Sequence, residues 1–206
     1  MRSIIALILV LVGAAFAQAP SIQNEIGDKT PERTSLEQEL LLHPDSAAAS
    51  FNLGEYLTRG QRYEKAVEHL ERAIELNPTY AQAYFYLGLN YDQMDRREEA
   101  IEAYKRATGI QRDYSVAYYD LALTLRELGR HEEAIAAFRQ AARSDPEDAH
   151  VYLQMALSHY YRGQYKEASR CVKKAVGMKP EITRGPVDYV LGEGIFELVN
   201  MPKQSQ

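Results

Sequence analysis

From residue 47 to residue 182 the apolar positions follow two periods at once. The short period is helical: in the stretch 81–114, Tyr84, Leu87, Gly88 and Tyr91 stand three, four and seven residues apart, which gathers them on one face of a helix. The long period is 34 residues. Leu87 maps onto Leu53, Leu121 and Met155, and Gly88 onto Gly54, Ala122 and Ala156. Ala100 maps onto Ala66, Ala134 and Ala168, and Ala107 onto Ala73, Ala141 and Ala175. Small residues held in register over such a distance predict an all-α array of helix-turn-helix units.

The units are 47–80, 81–114, 115–148 and 149–182. Each second helix carries an alanine, a large residue and another alanine: Ala66-Leu70-Ala73, Ala100-Tyr104-Ala107, Ala134-Phe138-Ala141, Ala168-Val172-Ala175. Gly or Ala at the crossing lets two backbones approach, and the large neighbour fills the adjoining gap. Gly60-Gln61-Arg62, Asp95-Arg96-Arg97, Gly129-Arg130 and Gly163-Gln164 mark the turns inside the units, where glycine is expected to supply the left-handed conformation. Pro78, Pro146 and Pro180 punctuate the joins between units. Arg112 takes that place once, and the loss of proline's fixed φ predicts a looser join there.

The flanks break the frame. Residues 31–46, with Leu36, Leu40 and Leu41 before His43-Pro44, read as a half-repeat helix that covers the start of the array. Past residue 182, Val187, Val190, Leu191, Ile195, Leu198 and Val199 form an apolar stripe, so 183–206 is expected to hold a capping helix and a tail. At the other end, Arg2, an apolar run from Ile4 to Val12 and the small-x-small triplet Ala15-Phe16-Ala17 read as a secretory signal over 1–17. The run is short for a permanent span, so membrane attachment would need an uncleaved signal. A polar leader, expected to be disordered, occupies 18–30. The chain is therefore expected to be exported, to a periplasm or to the outside.

Charge changes the list of partners. Lys and Arg number 24 against 29 Asp and Glu, a net charge of -5 that becomes -6 without Arg2. The signs are interspersed, and without a concentrated basic face nucleic acid is not expected as a partner. Cys171 is the single cysteine, so neither an internal disulfide nor a multi-cysteine metal site is possible; its place beside Val172 predicts a small buried hydrophobe.

The Leu-Gly pair, the aromatic or Leu three residues later, the paired alanines and the terminal Pro resemble the tetratricopeptide repeat family over residues 47–182. Met155 for Leu, His159 for an apolar residue and Ser50 for the opening aromatic depart from that pattern in the outer units. The resemblance implies a right-handed α-solenoid of four helix-turn-helix repeats, with a half-repeat helix at the N-terminus and a capping helix at the C-terminus. It also implies a concave groove lined by the first helix of every unit. Carried onto this chain, the lining is Phe51, Phe85, Tyr119 and Leu153, then Glu55, Leu89, Leu123 and Leu157 one turn on. Arg59, Asp92, Arg126, Glu127, Tyr160 and Tyr161 add to it at the helix ends. Most of the lining is large and apolar, the character of a binding surface.

No enzyme is expected. His43, His69, His131, His150 and His159 show no metal-ligand spacing, and Glu98-Glu99 and Glu132-Glu133 stand where they oppose a helix dipole. No phosphate-cradling loop or nucleophile elbow is present, so no cofactor and no small-molecule substrate are implied. The family's clamp for chaperone C-termini needs groove Lys, Asn and Arg. The matching places hold Phe51, Glu55, Tyr86, Val116 and Asp120, or one unit later Phe85, Leu89, Asp120, His150 and Gln154, which rejects it. The expectation is a scaffold that binds a peptide or a protein helix. The alternative is a structural subunit that self-associates, a homo-oligomer, or bridges an envelope or secretion assembly.

Overall fold

In the computed structural model, residues 30–180 are described. The expected secretory signal at 1–17, all but the last residue of the expected leader at 18–30 and the expected capping segment from 183 lie outside them. Among the described residues there are nine helices and no strand: α1 Pro31–Leu42, α2 Ala47–Arg59, α3 Tyr63–Leu76, α4 Ala81–Gln93, α5 Arg97–Ile110, α6 Ser115–Glu127, α7 His131–Ser144, α8 Ala149–Tyr161 and α9 Tyr165–Met178. No described helix is long and apolar enough to cross a membrane.

Local chemistry sets the helix ends. Thr30 caps α1, its side chain accepting from the Arg33 N–H at 3.1 Å with Pro31 in the first turn. Ser46 does the same for α2 through the Ala49 N–H, and Asp148 for α8 through the His150 N–H. The left-handed turn residue falls at one position of the frame in every unit: Gln61, Asp95, Gly129 and Gly163, with φ of 58°, 58°, 72° and 70°. In the first unit this corrects the expectation that glycine plays the part. Gly60 sits at φ -81°, so Gln61 carries the unfavourable conformation instead. The join without proline keeps the course of the others: Gln111 is extended, like Asn77 and Asp145, and bonds back to the Ala107 carbonyl.

Pairing follows the chain. The closest packing is within units, α2 on α3, α4 on α5, α6 on α7 and α8 on α9, followed by each second helix on the next first helix. First helices also touch one another, α2 with α4 and α6 with α8. The alanines are fully buried as their spacing demands: Ala66, Ala73, Ala100, Ala107, Ala134, Ala141, Ala168 and Ala175 all have no exposure. Gly88 explains the closest approach. A Cβ there would stand 2.6 Å from the Tyr104 ring, and one at Gly54 2.8 Å from Leu70 Cγ. His159, the polar departure in the last unit, is buried and satisfied, its Nδ1 lying 2.7 Å from Gln164 Oε1. Cys171 is half-buried against the core, and burial pushes its thiol pKa up, in keeping with a packing role.

Candidate partner-binding groove

The nine apolar and aromatic residues among those expected to line the groove divide by burial. Phe51 and Phe85 are 8% exposed, Leu157 5% and Leu153 3%. These four are corrected from accessible lining to floor. The reason at the two phenylalanines is a tyrosine that closes each unit and folds back over the ring. Tyr80 lies 4.9 Å from Phe51 between ring centres, and Tyr114 lies 5.2 Å from Phe85. Tyr86 adds edge contacts to both. Leu89, Tyr119, Leu123 and Tyr160 are half-buried, and Tyr161 is 63% exposed. Val116, two residues into α6, is 54% exposed. The surface that remains open is therefore shallower and more polar than the lining expected from spacing.

The polar part is a row of contacts between successive first helices. Tyr86 donates to Glu55 Oε1 at 3.0 Å, and burial followed by that bond pushes the Tyr86 hydroxyl up to about 12. Asn90, fully buried, donates to Thr58 Oγ1 at 2.8 Å and to the Tyr86 carbonyl. One unit later Asp92 is the hub. It accepts from Thr124 at 2.7 Å, from Tyr104 at 3.0 Å and from Arg97 at 3.1 Å. Burial first, and the nearby Asp92 carboxylate second, raise Tyr104 well above the usual phenol range. Arg126 then reaches Gln154 on α8.

Asp120 stands apart in this row. No described side chain donates to its carboxylate, and burial followed by the charge of Asp92 raises its pKa from 3.8 to about 6. Two columns of polar residues at the repeat period run through this row, Asn52, Tyr86, Asp120, Gln154 and Tyr56, Asn90, Thr124, Ser158. Of these, Tyr86, Asn90, Thr124 and Gln154 make its bonds to Glu55, Thr58, Asp92 and Arg126. In the sequence Tyr86, Asp120 and Gln154 stand out only as places where a cationic clamp is missing, and the second column not at all, because the groove was read from apolar residues. Their signal was available, since polar side chains recur there at the repeat period within otherwise apolar helices. Chemically the surface offers shape, aromatic edges and hydrogen bonds. Among the described residues no group of three His, Cys, Asp or Glu side chains is placed to hold a metal.

Comparison with known proteins agrees with this architecture. Three family models, each described as tetratricopeptide repeat, match residues 45–113, 85–149 and 125–181. No curated protein matches in sequence. A solved structure of MamA is 26% identical with a TM-score of 0.69, over 74% of this chain and 90% of that one. A second MamA structure, also 26% identical, gives 0.67 over 74% and 83%. YrrB, described as a TPR protein with an unusual peptide-binding site, is 20% identical with a TM-score of 0.64, over 81% of this chain and 84% of that one. At that identity the YrrB likeness concerns the fold. With the repeat frame, the paired helices and family models running in overlap from residue 45 to residue 181, the chain belongs to the tetratricopeptide repeat family.

Proposed function

We propose that this protein is a non-enzymatic interaction module that takes a peptide or a helix along the face made by α2, α4, α6 and α8. The tetratricopeptide fold commonly mediates protein–protein contact, and YrrB, of the same fold, is described with a peptide-binding site. The observation that carries the reading is the half-open central row of Tyr86, Leu89, Tyr119 and Leu123. These large side chains pack on the core with one flank and leave the other uncovered. A rigid surface of this kind binds without first ordering itself. The segment 1–17 supports an exported setting, with Arg2, the apolar run and Ala15-Phe16-Ala17 in the order that a secretory signal needs.

The test places a photo-crosslinking residue at Leu89 or Leu123, and separately at the exposed Glu102 and Ala136 of the second helices. Partner adducts should form at the first pair alone. Equal adducts at all four positions would remove the groove from the reading. A processed N-terminus at residue 18 in the native host would support export, and an intact Met1 in the cytosol would oppose it.

One observation favours assembly as a second reading. Leu41 and Leu42, at the end of α1, are 82% and 74% exposed. Light scattering of the full chain and of the Leu41→Ser, Leu42→Ser variant decides between them. An oligomer that dissociates in the variant supports self-association through this end, and a monomer in both leaves the groove reading alone.

A further inference from the structure

Where α6 ends and the turn to α7 begins, Arg126, Glu127, Gly129 and His131 enclose a cavity of about 370 Å³ with Leu157 and Tyr161 of α8. Its walls are aromatic and apolar on one side. The His131 ring stacks on Tyr161 at 5.2 Å and 17°, and Leu157 is buried beneath. The imidazole's Nδ1 is buried without a partner. Burial first, then the charges of Arg126 and Arg162, lower the His131 pKa and keep the ring neutral.

The charges around the cavity are almost all matched. Glu127 pairs with Arg97 at 3.2 Å, Arg130 with Glu98 at 3.1 Å and Glu133 at 2.7 Å, and Arg162 with Glu132 at 3.4 Å. Arg126 is the exception. Its guanidinium meets the neutral amide of Gln154, and no described carboxylate lies within ion-pairing range of it. A half-buried guanidinium has five N–H donors in a planar fork, the shape that matches a carboxylate. In a chain of net charge -5, this cavity presents an uncompensated positive group between apolar walls.

Arg126 follows Asp120 and Leu123 at helical spacing on α6, so the cavity continues the half-open row. A segment lying along that row passes the cavity mouth and enters it with a side chain, not with its end. We propose that this cavity receives an acidic side chain of a linear partner segment, its carboxylate on Arg126 and the neighbouring apolar side chain against Leu157 and Tyr161. The assignment rests on the groove reading and adds the partner's chemistry to it.

The test is fluorescence anisotropy of the full chain with a short peptide that is acetylated and amidated, carrying Glu between Leu and Phe. The same peptide with Gln, the same with Lys, and the Gln peptide with a free C-terminal carboxylate complete the set. The Glu peptide should bind at least about tenfold more tightly than the Gln peptide, the worth of one charge-assisted pair. Arg126→Gln should erase that preference with the helical circular dichroism unchanged, and Arg126→Glu should transfer it to the Lys peptide. The proposal is overturned if Glu and Gln peptides bind alike, or if the preference survives Arg126→Gln. It is also overturned if a free C-terminus replaces the Glu side chain without loss. Absence of binding by every probe overturns it too. In that case adducts at Leu89 and Leu123 would leave the groove reading standing, and their absence would remove both.

Discussion

Inside each unit the seam between first and second helix is mostly dry, crossed by side-chain bonds only at points such as Tyr104 to Asp92 and Lys174 to Tyr152, whereas the seam between successive first helices is threaded with hydrogen bonds. The dry seam brings Gly88 under Tyr104 and Gly54 to Leu70, with Tyr104, Phe138 and the flanking alanines fully buried. The wet seam joins Asn90 to Thr58 and Thr124 to Asp92, and leaves the Asp120 carboxylate without a donor among the described side chains. Burial of close-fitting apolar atoms suits a contact that must be the same in every unit. A polar seam is costlier to complete; Asn90 and Thr124 are buried in it, and only its half-buried members, such as Glu55, Tyr86 and Arg126, are open enough to exchange a bond for a ligand's. The difference places the closest packing in one seam and a row of polar contacts between units in the other.

The largest effect should come from the dry seam. Gly88→Leu forces a side chain into the Tyr104 ring, and a loss of about 3 kcal/mol is expected in urea unfolding. A loss under about 1 kcal/mol would mean that Tyr104 swings away freely and that the fit there is not what closes the unit.

The next effect has the opposite sign. Asp120 has a folded pKa of about 6, above its unfolded value near about 3.9, so the native state holds a proton that the unfolded chain releases. Its contribution to stability is full below the unfolded value, is lost as pH rises through the folded one, and stays lost above. Asp120→Asn should therefore gain on the order of 2 kcal/mol at about pH 7, and the gain should vanish near about pH 4. A pH-independent difference would assign the effect to shape and not to charge.

Thr124→Val keeps the volume and removes the 2.7 Å bond to Asp92, which should cost about 1.5 kcal/mol. A cost near zero would make this bond of the wet seam dispensable for folding and sharpen the contrast with the dry one. The smallest change lies in the turns, which belong to neither seam. Gln61→Gly frees a left-handed residue from its steric penalty and should gain about 1 kcal/mol. Gly129→Gln should show the mirror loss, as a check that the turn position behaves alike across units.

The seams were not equally legible. The dry one could be read from the chain because Leu, Gly and Ala recur at fixed places and have few alternative ways to be buried. The wet one was legible only as polar interruptions at the repeat period, since Asn90 or Asp92 gives no sign of which neighbour it will reach. The candidate lining shows the limit most clearly. Phe51 and Phe85 occupy positions that the repeat leaves free, which made them look available. Tyr80 and Tyr114 close over them, and that depends on a backbone turn between units that puts a residue 29 positions away onto the same ring.

The sequence by itself determined the helical class, the 34-residue frame and the small residues at the crossings, because those follow from local periodicity and from volume. Tertiary structure decided that Gln61 and not Gly60 takes the left-handed turn, and that two phenylalanines form a floor. It also decided that Arg126 reaches a neutral amide while the adjacent Glu127 is engaged by Arg97. The physical reason is one of range. Periodicity and volume act within a helix or between adjacent helices, while accessibility and charge matching depend on which distant side chains arrive at the same point in space.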